Sequence, residues 1–192
     1  MGLRPTFGAG DPFAPGTATG DPNATTILDV LDATIAGPLH AEYDILTKYG
    51  NTTTTGSVSI DGQRRNVVIG NVRYLTTDTA TWTCSADGSV PCVSGIDPTR
   101  VSNVGVTSEF FATDIARRVR RDEQAKVGPT TLAKATYAGQ SADCLSVPLG
   151  RGTTRYCILA SGVIAFVDAG DVRITITAYS PTVDQHAFDK GA

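Results

Sequence analysis

Alternation of apolar and polar residues dominates the chain. In "LHAEYDILTKYG", Ala41, Tyr43 and Ile45 alternate with His40, Glu42 and Asp44, the two-residue period of a half-buried strand. "SVSIDG" alternates again, and Asp61-Gly62 supplies a hairpin turn into "RRNVVIGNVRYL". A shorter strand, "TATWTC", follows. The C-terminal third repeats the pattern in "TLAKATYAG", "ADCLSVPL", "TTRYCILA", "GVIAFVDAG" and "DVRITITAYS". In the last of these Val172, Ile174, Ile176 and Ala178 alternate strictly with Arg173, Thr175, Thr177 and Tyr179.

Two stretches change period. "NATTILDVLDATIAGP" predicts a short helix capped by Asn23 or Thr25, with Ile27, Leu28, Leu31 and Ile35 on one face and Gly37-Pro38 as the stop. From Val106 to about Lys126, Val106, Phe110, Phe111, Ile115 and Val119 fall on one side. This predicts an amphipathic helix with an aromatic face, capped by Thr107 or Ser108 and ended by Gly128-Pro129. Its arginines, Arg117, Arg118, Arg120 and Arg121, are expected on the solvated face, where cations suit the C-terminal half of a helix.

The expected fold class is therefore α+β: a single curved antiparallel sheet, a half-barrel of roughly eight or nine strands, with amphipathic helices covering its apolar concave face. At 192 residues the chain is long enough to bury its own core. Residues 1–23, "MGLRPTFGAGDPFAPGTATGDPN", lack periodicity and are rich in Gly, Pro and Thr; they are expected to form a flexible tether, with residues 24–192 as one domain.

The cysteines place the protein. With Gly150-Arg151 as a two-residue II′ loop, Gly150 taking positive φ, Leu149 faces Gly152 and Cys144 faces Cys157. That site suits a disulfide. Four cysteines allow three pairings; the local ones, Cys84–Cys92 and Cys144–Cys157, need the least rearrangement. The hairpin pattern puts Cys144, Ser146, Thr153 and Arg155 on the polar face, opposite Leu145, Val147, Tyr156 and Ile158. Two disulfides imply an oxidising, extracytoplasmic compartment. With no leader before Met1, the sequence reads as a trimmed mature fragment whose tether leads to a missing N-terminal anchor, so the protein is expected to be peripheral to a membrane.

Charge and chemistry narrow the choice by what they omit. The formal charge is −3, which offers no field for nucleic acid. His40 and His186 lack a G-x-S-x-G elbow or zinc-ligand spacing, and no P-loop or G-x-G-x-x-G joins a strand to a helix. No catalytic residues, metal or cofactor are expected, and the protein is read as a non-enzyme.

The order of elements, the stretch "AEYDILTKYGNTTTTGSVSIDGQRRNVVIGNVRYL", the Trp-containing cysteine loop, and "DCLSVPLGRGTTRYCILASGVIAFV" together resemble the exported lipoproteins of actinobacteria with a LolA-like half-barrel, the group of LppX- and LprG-type lipid carriers. The resemblance spans roughly residues 24–188. It implies helices over a concave sheet face and binding of acylated lipid there. The candidate apolar cavity is formed by Phe110, Phe111, Ile115 and Val119 facing Tyr43, Ile45, Tyr156, Ile158 and Ile174. The residues leave two readings open: a non-catalytic lipid or apolar-ligand binding protein of the cell envelope, or a tethered interaction or sensor domain that has a packed core and an envelope protein as partner.

Overall fold

Each half of the chain builds a meander, and the two meanders meet in one sheet. The computed structural model describes residues 11–191, so the first ten residues of the expected tether lie outside the described residues. The chain enters through helix α1 (Pro22–Leu31), then lays down β1 (Leu39–Thr47), β2 (Thr52–Asp61), β3 (Arg64–Ile69), β4 (Val72–Thr76), β5 (Thr81–Ser85) and β6 (Val93–Ser94). A 3-10 helix (Pro98–Val104) and α2 (Thr113–Gln124) carry it across one face of the sheet. It returns as β7 (Thr131–Tyr137), β8 (Gln140–Leu149), β9 (Gly152–Leu159), β10 (Ile164–Asp168) and β11 (Val172–Ser180).

All eleven strands lie in one open antiparallel sheet, ordered β6-β5-β4-β3-β2-β1-β11-β10-β9-β8-β7. The chain thus walks outward from the centre to one edge, crosses over, and walks back to the centre from the other edge. The central β1–β11 pair zips Ile45 opposite Ile174 and Tyr43 opposite Ile176. Two strands exceed the expected number. Gly70, at φ +55°, breaks the expected "RRNVVIGNVRYL" strand into β3 and β4, and Val93–Ser94 adds a short edge strand to β5.

The expected hairpin register is observed: Leu149 lies opposite Gly152 and Cys144 opposite Cys157. The turn differs from a II′ loop, because positive φ falls at Gly152 (+130°) and not at Gly150. Both disulfides are present, with Cα separations of 4.1 Å for Cys84–Cys92 and 4.0 Å for Cys144–Cys157. Cys144 and Cys157 are nevertheless buried. They lie on the outer face with Ala142, Leu159, Tyr137 and Phe166, whose rings stack at 5.3 Å with 10° between planes, so this end of the outer face is apolar.

Helix α1 is capped by Asp21, two residues earlier than the expected Asn23. The Asp21 carboxylate accepts from the backbone N–H groups of Asn23 (2.9 Å) and Ala24 (3.2 Å), with Pro22 in the first turn. Ile35 is buried although the helix ends at Leu31. Within the expected tether, Gly16 N–H donates to Asp32 (2.9 Å), Arg120 donates to the Thr17 carbonyl (2.9 Å), and Arg117 pairs with Asp11 (3.0 Å).

Helix α2 is shorter than its hydrophobic pattern. Gly105, at φ +72°, ends the 3-10 helix, and Thr107 Oγ1 accepts from Glu109 N–H in a turn, so residues 108–112 form turns before the helix starts at Thr113. The arginines are not simply solvated. Arg120 is 2% exposed and salt-bridged to Asp32 of the α1 end. Arg118 holds Asp171 (2.9 Å) and Arg121 holds Asp122 (3.1 Å), whose other oxygen accepts from the buried Tyr156 hydroxyl (2.6 Å). No helix among the described residues is long and apolar enough to cross a membrane.

On the outer face the C-terminal residues run from β11 across the first meander. Arg73, 5% exposed, donates to the carbonyls of Ala187 (2.9 Å) and Asp189 (2.8 Å) and to Asn66 Oδ1 (2.9 Å). Arg64 sits 4.6 Å over the Phe188 ring, and Lys190 lies 5.1 Å from the Trp82 ring.

Two stability predictions follow from these contacts. Replacing both Cys144 and Cys157 with Ala removes a buried cross-link, and chemical denaturation should show a loss of about 2–4 kcal/mol, larger than for Cys84 and Cys92 because Cys92 is only half-buried. Asp21 is held below the usual carboxylate range: burial pushes its pKa up, but hydrogen bonds from Lys126, Thr130 and the backbone of Ala24 and Asn23 outweigh it. A depressed folded pKa stabilises above the unfolded value, and that contribution is lost as pH falls through the folded value. Thermal melts of Asp21→Asn should therefore lie below wild type at pH 7, and the gap should close below about pH 4, the ordinary carboxyl range.

Candidate functional site

The inner face of the sheet is lined by one apolar cluster, and every residue expected to line a cavity belongs to it. Tyr43, Ile45, Phe110, Phe111, Ile115, Val119, Tyr156, Ile158 and Ile174 are each at most 3% exposed. Phe110 lies against the middle of the sheet, where Tyr43 meets it edge-on at 5.1 Å and 83°. Gly56 makes room for it: a Cβ there would lie 2.9 Å from Ile45 Cδ1 and 3.2 Å from Phe110 Cζ. The Tyr43 hydroxyl donates to the Ile164 carbonyl (3.1 Å), and Phe111 carbonyl oxygen accepts from Ile164 N–H (2.9 Å). These nine residues are brought together as expected, but packed against one another.

Open space on the helix-covered side lies further out, at Phe111. Its ring stands at 90° to that of Phe110, with centroids 6.0 Å apart, and borders two adjoining pockets. The first, about 220 Å³, runs between Leu31–Ile35 and the Phe111–Thr113 turn, with Pro15 at its edge. The second, about 230 Å³, lies over β3 and β4 and is walled by Val67, Tyr74, Ile96 and Phe111, with Thr76, Ser108 and Glu109 toward the rim. Arg65 borders both. Together they form a groove along the edge of the core, open to solvent at Ile96, which is 38% exposed.

The electrostatics of the groove differ from those of the core. Tyr74 is 2% exposed and its hydroxyl has no hydrogen-bond partner among the described residues, in contrast to the buried phenols of Tyr43 and Tyr156. Burial raises its pKa, the Asp97 charge adds to this, and Arg100 opposes it. Arg65 projects from β3 on the inner face, since it pairs with the buried Ile60 of β2.

Of the groove residues, only Phe111 is among those expected to line a cavity; Leu31 and Ile35 are marked only as the apolar face of α1. Arg65 and Tyr74 fall in "RRNVVIGNVRYL", where a one-residue error of register exchanges the faces. The split at Gly70 is the signal that would have placed them.

Other hollows lie away from this groove. One of about 460 Å³ on the outer face is bordered by His40, Glu42, Asp44, Thr55, Ser57 and Thr177. His40 Nδ1 lies 2.9 Å from Ser59 Oγ and its Nε2 lies 3.5 Å from Glu42; Ser59 is 2% exposed, and both His40 and Ser59 border a further hollow of about 340 Å³.

An open, eleven-stranded antiparallel sheet with a helical crossover on one face defines an α+β half-barrel. No family model matches the chain, and no curated protein matches it. Among solved structures it is similar to MucB, with a TM-score of 0.52 at 13% identity over 90% of this chain. The chain spans 64% of that protein. A MucA/MucB complex from Pseudomonas aeruginosa matches with a TM-score of 0.49 (10% identity, 87% of this chain and 60% of that one). LprF from Mycobacterium bovis matches with a TM-score of 0.44 (12% identity, 84% and 94%). At 13% identity the likeness to MucB is one of fold alone.

The packing predicts different outcomes for two neighbouring aromatics. Phe110→Ala empties the middle of the core and should cost about 3–5 kcal/mol in denaturant unfolding. Phe111→Ala removes a wall shared with open space and should cost less, while enlarging the groove.

Proposed function

We propose that this protein is a non-catalytic, extracytoplasmic binding protein of the cell envelope, of the actinobacterial lipid-carrier type that its sequence resembles. It takes an apolar ligand in the groove beside Phe111. The observation that carries the reading is that groove: over β3 and β4 its walls combine Val67, Ile96 and Phe111 beside the core with polar groups from Arg65, Tyr74, Thr76, Ser108 and Glu109, a mixture that suits an amphiphilic ligand. The two disulfides suit an oxidising compartment. An acylated lipid fits the groove by inserting part of an acyl chain, each buried methylene contributing about 0.8 kcal/mol. The ligand site is thus proposed at the rim, which only Phe111 of the nine residues borders.

The close packing of those nine residues favours a second reading, an interaction or sensor domain anchored through its N-terminal segment that binds an envelope protein and no small ligand. Native mass spectrometry with solvent extraction, on protein purified from an actinobacterial host, separates the two. A lipid bound near one-to-one, and absent from a Thr76→Trp variant that fills the groove from its rim, is the expected result. A ligand-free mass together with no uptake of fluorescent fatty-acid probes would overturn it in favour of the protein partner.

A further inference from the structure

We infer that the groove selects an anionic amphiphile, its head group held by Arg65 and Tyr74 and its apolar body lying along Val67 and Phe111; this rests on the reading of the groove as a ligand site. Arg65 is an anomaly on the inner face. It stands on β3 between the buried Ile60 of β2 and Thr76 of β4, and two residues from the buried Val67. The arginines of α2 are all committed to carboxylates: Arg117 to Asp11, Arg118 to Asp171, Arg120 to Asp32 and Arg121 to Asp122. Arg65 makes no hydrogen bond or ion pair among the described residues, although it is half-buried and borders both pockets.

Tyr74 is the second, independent observation. Tyr74 lines the same pocket, and its buried hydroxyl has no acceptor among the described residues. A buried donor left unpaired is costly, so such groups in native structures call for a partner. The register sets the two residues side by side on the strand pair. Arg65 pairs with Thr76 and Val67 with Tyr74, so Arg65 and Tyr74 are diagonal neighbours on one face, roughly 7–8 Å apart at the backbone. A carboxylate or phosphate has several acceptor oxygens and can accept from both, and a guanidinium fork suits either.

The acids around the groove differ. Asp32 is paired with Arg120 and bonded by Gly16; Asp97, hydrogen-bonded by Thr99, keeps its charge near Tyr74, where Arg100 offsets it. Glu109 is exposed at the rim and pairs with no cation among the described residues. Its charge opposes an anion at Arg65, so its removal should tighten binding.

Isothermal titration at pH 7.5 with decanoate, decyl phosphate and decanol, each below its micelle concentration, tests the inference. Wild type should bind at least one of the anions roughly tenfold or more tighter than decanol. A preference for decanoate points to fatty acids, and one for decyl phosphate to phospholipid head groups. Arg65→Gln should erase the difference by weakening the anions. Tyr74→Phe should weaken the anion several-fold, and Glu109→Gln should strengthen it. Equal affinity for anions and alcohol, unchanged by Arg65→Gln in a variant folded by circular dichroism, would overturn the head-group assignment and leave the groove as an apolar site. Binding of none of the three would overturn the groove reading itself.

Discussion

The whole inner surface is arranged around the seat of Phe110 on Gly56. A sheet of this width leaves a hollow when it curls, and the hollow must be filled or wetted. Here one aromatic ring fills its middle, reaching the sheet only because position 56 has no side chain. Tyr43 closes on the ring from the side, and the next residue, Phe111, is turned outward to the rim. The depth of any binding site is thereby decided. What remains open is a groove along one edge of the core, over β3 and β4, and not a chamber under the helices.

Charge holds the crossing segment in place above that core. Arg120 joins the two helices through Asp32, Tyr156 joins α2 to β9 through Asp122, and Lys126 joins the α2 end to the Asp21 cap. Removing one partner of a buried pair is strongly destabilising, whereas the pair itself adds little to stability over an apolar one. Its value lies in fixing position: a helix held by apolar contacts alone could slide along a smooth sheet, and Phe111 would lose its place on the rim.

Alternation carried most of the fold. β1 and the five C-terminal strands stand where the two-residue period puts them, and the pairing of Cys144 with Cys157 follows from the hairpin register. What sequence missed has identifiable causes. Phe110 and Phe111 share a hydrophobic spacing with Ile115 and Val119, yet Gly105 and the Thr107 turn displace them from the helix, because backbone chemistry outranked periodicity. Arg120 looked solvated because its partner, Asp32, is distant in sequence. The outer face around the second disulfide looked polar because the stacking of Tyr137 on Phe166 joins two strands that the sequence does not show to be near each other. The groove was the least visible feature, since a hollow is defined by side chains that fail to meet.

The order of the strands has a kinetic meaning as well. The middle of the sheet is the β1–β11 pair, whose members come from opposite ends of the domain. Every other neighbouring pair joins strands consecutive in the chain. Each meander can therefore assemble locally, but the two cannot become one sheet until the last strand is available, and closure over so long a loop is slow. During synthesis or passage through a membrane, the chain remains two unfinished halves with β1 as an exposed edge, open to chaperones or to aggregation.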